Sequence, residues 1–307
     1  MKIFVLDPIH PAGVEYAARH FETVRWDDPR VKHWQDDADA LMVRMTPVRS
    51  ADIARAKKLR IISKQGVGYD TVDVAAAKKH GIVVCRTPGV NSDAVAELAL
   101  ALGLTVARRV AELDRRIRAG EKITRPDYLA VETLGKTVGV IGVGNIGSRV
   151  ARKWANAFDA NVIGYDPYLK KMICKKIEKL EELLRNSDLI TLHVPLNDET
   201  RHMIGAREIA LMKKNAILVN TCRGGVVDED ALYQAMKAGQ LFGAGLDVWD
   251  VEPPPRDHPL LTLPNVVATP HVAGNTFETQ ERSAIWVAQQ AVDFLQGKPP
   301  KPENRVA

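Results

Sequence analysis

Thr137-Val138-Gly139-Val140-Ile141-Gly142-Val143-Gly144-Asn145-Ile146-Gly147 reads as a buried strand, a tight turn and the opening of a helix. Gly142, Gly144 and Gly147 fall in the order G-x-G-x-x-G. In that order the first glycine permits the turn, the second lets backbone approach a pyrophosphate, and the third lets the helix lie on the strand. The helix start adds free N–H groups and a positive dipole end that suit phosphate. A second strand, Asn161–Asp166, ends in an acid 19 residues beyond Gly147. A carboxylate that holds a ribose is expected about 20 residues on. Strand, glycines, helix, strand and terminal acid together predict a dinucleotide site. Asp166 would accept from both ribose hydroxyls and repel a 2′-phosphate, which favours NAD over NADP. Lys170 and Lys171 follow closely and would soften that repulsion.

Outward from this stretch, short apolar runs continue at Leu189–Val194, Ala216–Asn220, Gly243–Leu246 and Val266–Ala268. A smaller series precedes it, with strands expected at Ile3–Leu6, Thr23–Trp26, Ala40–Met45, Arg60–Ser63 and Ile82–Arg86. Helices are expected between them at Ala12–Arg19, Ala51–Lys57 and Val74–His80. Such βα alternation implies parallel sheets, and the fold class is α/β with two Rossmann-like domains. Thr87-Pro88-Gly89-Val90-Asn91 breaks the first series. Asn91 or Ser92 can cap one long helix running to about Ala119, with Gly120 as its stop. A last helix is expected from Thr279 to Leu295, before a loose Lys298–Pro302 tail.

Three residues of the last third carry the chemistry. Arg223 follows the strand ending at Asn220, Glu252 closes Gly245-Leu246-Asp247-Val248-Trp249-Asp250-Val251-Glu252, and His271 stands in Thr269-Pro270-His271-Val272-Ala273-Gly274. All three lie just past the carboxyl ends of strands, where open parallel sheets bind ligands. A histidine can take or give a proton near neutrality. A carboxylate beside it fixes its tautomer and favours the imidazolium. An arginine fork grips a substrate carboxylate as a lysine cannot. Asp247 and Asp250 also neighbour Glu252, so the choice of acid rests mainly on family resemblance. His193 also ends a strand and reads as structural or cofactor-adjacent.

Over nearly its whole length the chain resembles the D-isomer-specific 2-hydroxyacid dehydrogenases. The resemblance runs from Ser63-Lys64-Gln65-Gly66-Val67-Gly68-Tyr69-Asp70 to Thr269–Gly274, and Asn220–Leu232 matches the family's arginine signature. Within the family it is most similar to the phosphoglycerate dehydrogenase and hydroxypyruvate reductase branch. The resemblance implies Arg223, Glu252 and His271 as the catalytic set. It implies cofactor contacts from Gly142, Gly144, Asn145, Ile146, Gly147, Asp166, Pro195, Thr221, Cys222, Asp247 and Gly274. Cys222 also reads as a small space-filling residue. On the substrate side, the Gly66-Val67-Gly68 amides suit a carboxylate. Arg44 and Lys64 match basic residues that approach a distal phosphate in phosphoglycerate dehydrogenases. Lysine stands at 64 where those enzymes tend to carry arginine, so hydroxypyruvate, glyoxylate or a sulfonate fits as well, and two merely exposed basic residues are the plain alternative.

Relatives build their substrate domain from both chain ends. The resemblance therefore implies a flavodoxin-like substrate domain from 1–90 and 275–307, an NAD-binding Rossmann domain over 91–274, and a cleft between them that closes over cofactor. It also implies a homodimer embraced by the helix from Asn91 and by Tyr128–Thr133. With the chain stopping at its tail, no regulatory module of the kind appended in some phosphoglycerate dehydrogenases is expected. The expected activity is NAD-dependent hydride transfer to and from C2 of a small, anionic 2-hydroxy acid. Phosphoglycerate dehydrogenase-like and hydroxypyruvate or glyoxylate reductase readings both remain. A cofactor-sensing corepressor on the same scaffold, or a formate dehydrogenase, would keep much of the pattern.

Composition agrees. The chain has 307 residues, 46% apolar and 26% charged, which suggests about two ordinary globular domains. No apolar run is long enough to span a bilayer, and Met1–Pro8 reads as a first strand and not a signal peptide. Cys85, Cys174 and Cys222 form no metal-binding spacing, so no metal and a reduced, cytoplasmic setting are expected. The net charge of +5 gathers most densely at Lys170, Lys171, Lys175, Lys176 and Lys179, expected on or near one helix. Acids follow at once and no aromatics are interleaved, so the cluster reads as a solvated face and no nucleic-acid partner is expected.

Overall fold

In a computed structural model of the chain, residues 1–125 and 128–307 are described. The chain divides into two compact units, Met1–Asn91 with Asn275–Ala307, and Ser92–Gly274.

The larger unit is a seven-stranded parallel sheet. Its strands are β6 (Thr137–Ile141), β7 (Asn161–Tyr165), β8 (Lys175–Lys176), β9 (Leu189–Leu192), β10 (Ala216–Asn220), β11 (Leu241–Leu246) and β12 (Val266–Ala268). Their order across the sheet is β12-β11-β10-β9-β6-β7-β8. The chain order reverses between β6 and β9, and such a switch point opens a crevice at the strands' carboxyl ends. The central strands are apolar on both faces because helices cover both. On one side α4 (Ser92–Ala107) and α6 (Asn145–Phe158) pack around Trp154, which is fully buried. On the other, α7 (Leu180–Asn186), α8 (Ala206–Leu211) and α9 (Glu229–Lys237) close over Leu184, Ile190, Leu218 and Leu232.

The smaller unit is a five-stranded parallel sheet of β1 (Lys2–Val5), β2 (Glu22–Val24), β3 (Ala40–Val43), β4 (Ile61–Lys64) and β5 (Val83–Cys85), in the order β2-β1-β3-β4-β5. This is the flavodoxin-like order, with its switch point between β1 and β3. The final helix α10 (Phe277–Leu295) packs with α1 (Pro11–Ala18) against one face, burying Val287, Ala288 and Ala291 beside Ile3, Val5 and Ile61. The other face is covered by α2 (Ser50–Arg55), α3 (Val74–Lys79) and a 3-10 turn carrying Trp34.

Three expectations are corrected. The single helix from Asn91 to Ala119 is two helices, α4 and α5 (Val110–Arg118), broken at Arg109, which takes φ +55°. That left-handed turn costs a non-glycine residue roughly 1–2 kcal/mol. Arg109 offsets it with two hydrogen bonds, at 2.9 and 2.7 Å, to the buried Glu112 carboxylate. The Val131 amide also takes the freed carbonyl of Ala107 at 2.8 Å. Second, neither Asn91 nor Ser92 caps α4, since Asn91 Oδ1 and Ser92 Oγ are buried without a hydrogen-bond partner. Third, the lysine cluster is not helical. Lys170 and Lys171 lie in bends, and Lys175–Lys176 form the edge strand β8 against Ile163 and Gly164. Charged edge strands resist unwanted pairing, which gives the lysines a reason to be there.

Candidate active site

Gly142 follows β6 at the switch point with φ +83°, and a Cβ there would lie 2.7 Å from the carbonyl oxygen of His193, just past β9. Gly147 is tighter, since a Cβ would sit 1.9 Å from the Gly142 carbonyl oxygen. Gly144 faces open space, and α6 begins directly after it with no side chain capping its amides. Asn145 and Ile146 form the exposed and half-buried first turn. Asp166 stands past β7, its Oδ2 accepting the Val143 amide and its Oδ1 the Tyr168 amide, both at 3.0 Å. A carboxylate so fixed keeps acceptor capacity for two hydroxyls. Thr221 Oγ1, past β10, is buried without a partner, as a polar atom waiting for a ligand would be. Glycine cradle, acid and orphan hydroxyl fit a dinucleotide. Pro195 is exposed, and its carbonyl accepts the Thr200 hydroxyl at 2.6 Å, which turns the loop after β9.

The loops after β10, β11 and β12 carry the three chemical residues. His271 Nδ1 lies 2.7 Å from Glu252 Oε2, and both side chains remain partly exposed. Facing a carboxylate, Nδ1 carries the proton, so Nε2 is the nitrogen left to exchange one. His271 takes φ +55°, and its amide donates to the Asp247 carbonyl at 2.6 Å. The Asp247 carboxylate is fully buried and accepts the Thr269 hydroxyl (2.6 Å) and the Val272 and Ala273 amides (both 2.9 Å). Asp247 thus knots the histidine loop up to the residue before Gly274. Trp249 joins the same two loops, donating from its indole to the Thr269 carbonyl at 3.0 Å. Its amide donates to Glu252 Oε1 at 3.2 Å.

Arg223 is half-buried after β10. Asn220 shapes its loop by accepting the Cys222 amide (3.0 Å) and donating to the Arg223 carbonyl (2.9 Å). The Arg223 guanidinium turns back to the Cys222 carbonyl at 2.7 Å. Next along, Gly224 presses on the glutamate loop, since a Cβ there would lie 2.0 Å from the Trp249 carbonyl carbon. The arginine loop and the glutamate loop are therefore one packed piece.

In the smaller unit, Arg44 follows β3, Lys64 is the last residue of β4, and Val67 and Gly68 lie in the loop after β4. Asp7, past β1, is buried and accepts the amides of Arg44 (2.6 Å), Met45 (3.0 Å) and Thr46 (2.9 Å). Lys64 is also buried and donates to the carbonyls of Arg44 (2.6 Å) and Gln65 (3.0 Å). Its ammonium thus serves the loop itself. Arg44 reaches Asn275 Oδ1 at 3.2 Å. The Gly66 amide is held by Thr87 Oγ1 at 2.8 Å, next to Val67 and Gly68.

Residues 100–273 match the profile of the D-isomer specific 2-hydroxyacid dehydrogenase NAD binding domain. The chain belongs to this family. It is 42% identical to a D-3-phosphoglycerate dehydrogenase of Methanocaldococcus jannaschii over 97% of its own length, and it spans 58% of that relative. It is equally 42% identical to a glyoxylate reductase of Korarchaeum cryptofilum, covering 97% of this chain and 94% of that one. Among solved structures, the TT0316 protein from Thermus thermophilus superposes with a TM-score of 0.91 at 37% identity, over the whole of both chains. As a family member the chain is an oxidoreductase acting on the CH–OH group of 2-hydroxy acids with NAD or NADP.

Within that family frame, the sequence missed Asp7, Asn220 and Trp249 as residues that build the site. Asp7 could have been flagged, as an acid just past the first strand of a parallel sheet. Asn220 and Trp249 carried no such signal, because their work is hydrogen bonding to the backbone of the site's loops. Burial pushes the Cys222 thiol up to about 11, so it is a neutral thiol that donates to Asn220 Oδ1 at 3.0 Å. Burial pushes the His193 imidazole down to about 3. It stays neutral, 2.9 Å from Thr191 Oγ1, with Nδ1 buried and unpartnered.

Proposed function

We propose that the chain is an NAD-dependent D-2-hydroxyacid dehydrogenase working as a reductase of small anionic 2-keto acids. The observation that carries this reading is the 2.7 Å contact of His271 Nδ1 with Glu252 Oε2, with the Glu252 loop packed against Gly224, the residue after Arg223. His271 Nε2 gives a proton to the carbonyl oxygen in reduction and takes it from the hydroxyl in oxidation. Glu252 accepts from Nδ1 and holds the ring in the tautomer that leaves Nε2 to exchange the proton. Arg223 binds the substrate carboxylate and the charge growing on the carbonyl oxygen. A nicotinamide cofactor bound there would supply and receive the hydride. Gly142, Gly144, Asn145, Ile146 and Gly147 hold the pyrophosphate, and Asp166 the adenosine ribose. Pro195, Thr221, Cys222, Asp247 and Gly274 line the rest of the cofactor site, Thr221 through its orphan hydroxyl and Asp247 by keeping the His271 loop in place. Asp166, fixed by two backbone amides, supports NAD over NADP.

On the substrate side, the Val67 and Gly68 amides grip the carboxylate. Arg44 meets the distal group, and Lys64 supports it from behind through the Arg44 carbonyl. With one of the two basic groups tied to backbone, hydroxypyruvate or glyoxylate suits the site better than a phosphorylated acid. Phosphohydroxypyruvate is the second reading, supported by the likeness to phosphoglycerate dehydrogenases. A homodimer is supported by apolar side chains left exposed on α5 and the segment after it, Val110 (55%), Ile117 (65%), Leu129 (80%) and Leu134 (59%). Between them Tyr128 is stacked under Arg109 and Arg116, at 4.6 and 4.7 Å.

Substrate choice is tested by following NADH oxidation at saturating cofactor with hydroxypyruvate, glyoxylate, pyruvate, phosphohydroxypyruvate, oxaloacetate and sulfopyruvate, each repeated with NADPH. The reading predicts the highest kcat/KM for hydroxypyruvate or glyoxylate with NADH. A preference for phosphohydroxypyruvate would transfer the assignment to the second reading, and turnover with NADPH alone would overturn the role given to Asp166.

A further inference from the structure

A second histidine–carboxylate pair stands behind the first. Glu229 opens α9 and His258 follows the Glu252 loop, and both side chains are largely buried. His258 Nε2 lies 3.0 Å from Glu229 Oε2. His258 Nδ1 accepts the Leu260 amide at 3.3 Å, so the ring is a neutral tautomer with its proton on Nε2, donated to Glu229. The other Glu229 oxygen, Oε1, accepts the Asp250 amide at 2.9 Å. The His258 ring meets the Trp249 indole edge-on, with centroids 5.3 Å apart. Trp249 in turn donates its amide to Glu252 Oε1 and its indole N–H to the Thr269 carbonyl. The pair thus engages the segment that carries Glu252 twice, through Glu229 Oε1 on the Asp250 amide and through the His258 ring on the Trp249 indole.

We propose that Glu229 and His258 are positioning residues that fix the Trp249–Glu252 segment and so set the Glu252 carboxylate against His271. The pair touches neither substrate nor cofactor. Glu229 clamps the Asp250 backbone from one side while His258 backs the Trp249 ring from the other. This leaves Glu252 a single height at which Oε1 meets the Trp249 amide and Oε2 meets His271. Geometry errors of a fraction of an ångström in a proton-transferring pair are expensive in rate, which is what a second rigid pair prevents. The proposal rests on the reading of His271 and Glu252 as the acid/base pair.

The test is a double-mutant cycle on the whole enzyme. Glu229→Gln keeps the shape but cannot both accept the Asp250 amide and accept from His258 Nε2. His258→Phe keeps a ring against Trp249 and removes both nitrogens. Each is expected to lower kcat for keto-acid reduction roughly tenfold. The KM for the acid and the Kd for NADH should stay within about twofold, since neither binding site is touched. In a Glu252→Gln background the same changes should cost nothing further, because the residue they position has lost its function. An unchanged kcat in the folded single variants, full additivity with Glu252→Gln, or failure of both variants to fold would each overturn the proposal. If Glu252→Gln alone kept full activity, the acid/base reading itself would fall, an outcome visible in that variant without the others.

Discussion

His193 and His271 are both histidines past strand ends, and their surroundings separate them. His271 is partly exposed and paired with a carboxylate, which suits proton exchange. His193 is desolvated with nothing anionic beside it, and burial holds its imidazole at about 3 against an ordinary 6.5. Folded protein therefore binds fewer protons than unfolded chain between those values. Stability from this residue is whole above about pH 6.5 and is lost as the pH falls towards 3. Urea midpoints measured from pH 7 down to pH 4 should thus fall less steeply in His193→Asn than in the parent, and identical slopes would contradict the assignment. The residues proposed as catalytic were legible because each lies just past the carboxyl end of a strand, with Glu252 singled out from Asp247 and Asp250 by the family resemblance. Asp7 and Lys64 were less so. Lys64 reads in sequence as a substrate cation, whereas its burial and its bonds to the Arg44 and Gln65 carbonyls show only in three dimensions.

At the scale of elements, the strands were read well wherever they are buried on both faces, because continuous apolar runs are what such strands require. The break between α4 and α5 escaped notice since neither glycine nor proline marks it. An Arg109–Glu112 pair stabilises a left-handed residue there, and a pairing three residues apart looks like ordinary helix in sequence. The strand β8 escaped notice because lysines at a sheet edge look like a solvated helix face. The loops after β10 and β11 form one element in function, joined at Gly224. Gly224→Ala would drive a Cβ to 2.0 Å from the Trp249 carbonyl carbon, a backbone clash that cannot be relieved by a rotamer. Overpacking of this kind destabilises by about 1–3 kcal/mol. Thermal unfolding and keto-acid reduction should both suffer in Gly224→Ala, the second by more than tenfold since Arg223 and Glu252 are displaced together. A variant with unaltered kinetics would show that the two loops are not mechanically joined.

At the scale of the whole molecule, two parallel sheets each reverse their chain order once, between β6 and β9 in one and between β1 and β3 in the other. The glycine stretch made the first of these visible from sequence, and the βα alternation made the second. Assembly is the level at which sequence said least, since exposed apolar residues on α5 cannot be told from core residues by pattern alone. Ile117→Glu together with Leu129→Glu should convert a dimer to a monomer by light scattering, and a parent protein already monomeric would refute the dimer. The account as a whole stands on His271 as the proton donor and acceptor. The most direct measurement is the rate of NADH oxidation by His271→Gln with the best keto acid, at saturating cofactor and with the NADH Kd measured alongside. The account predicts a loss of roughly 10²–10⁴-fold in kcat with NADH binding unchanged. A rate near that of the parent enzyme would contradict it and move the proton chemistry to another residue.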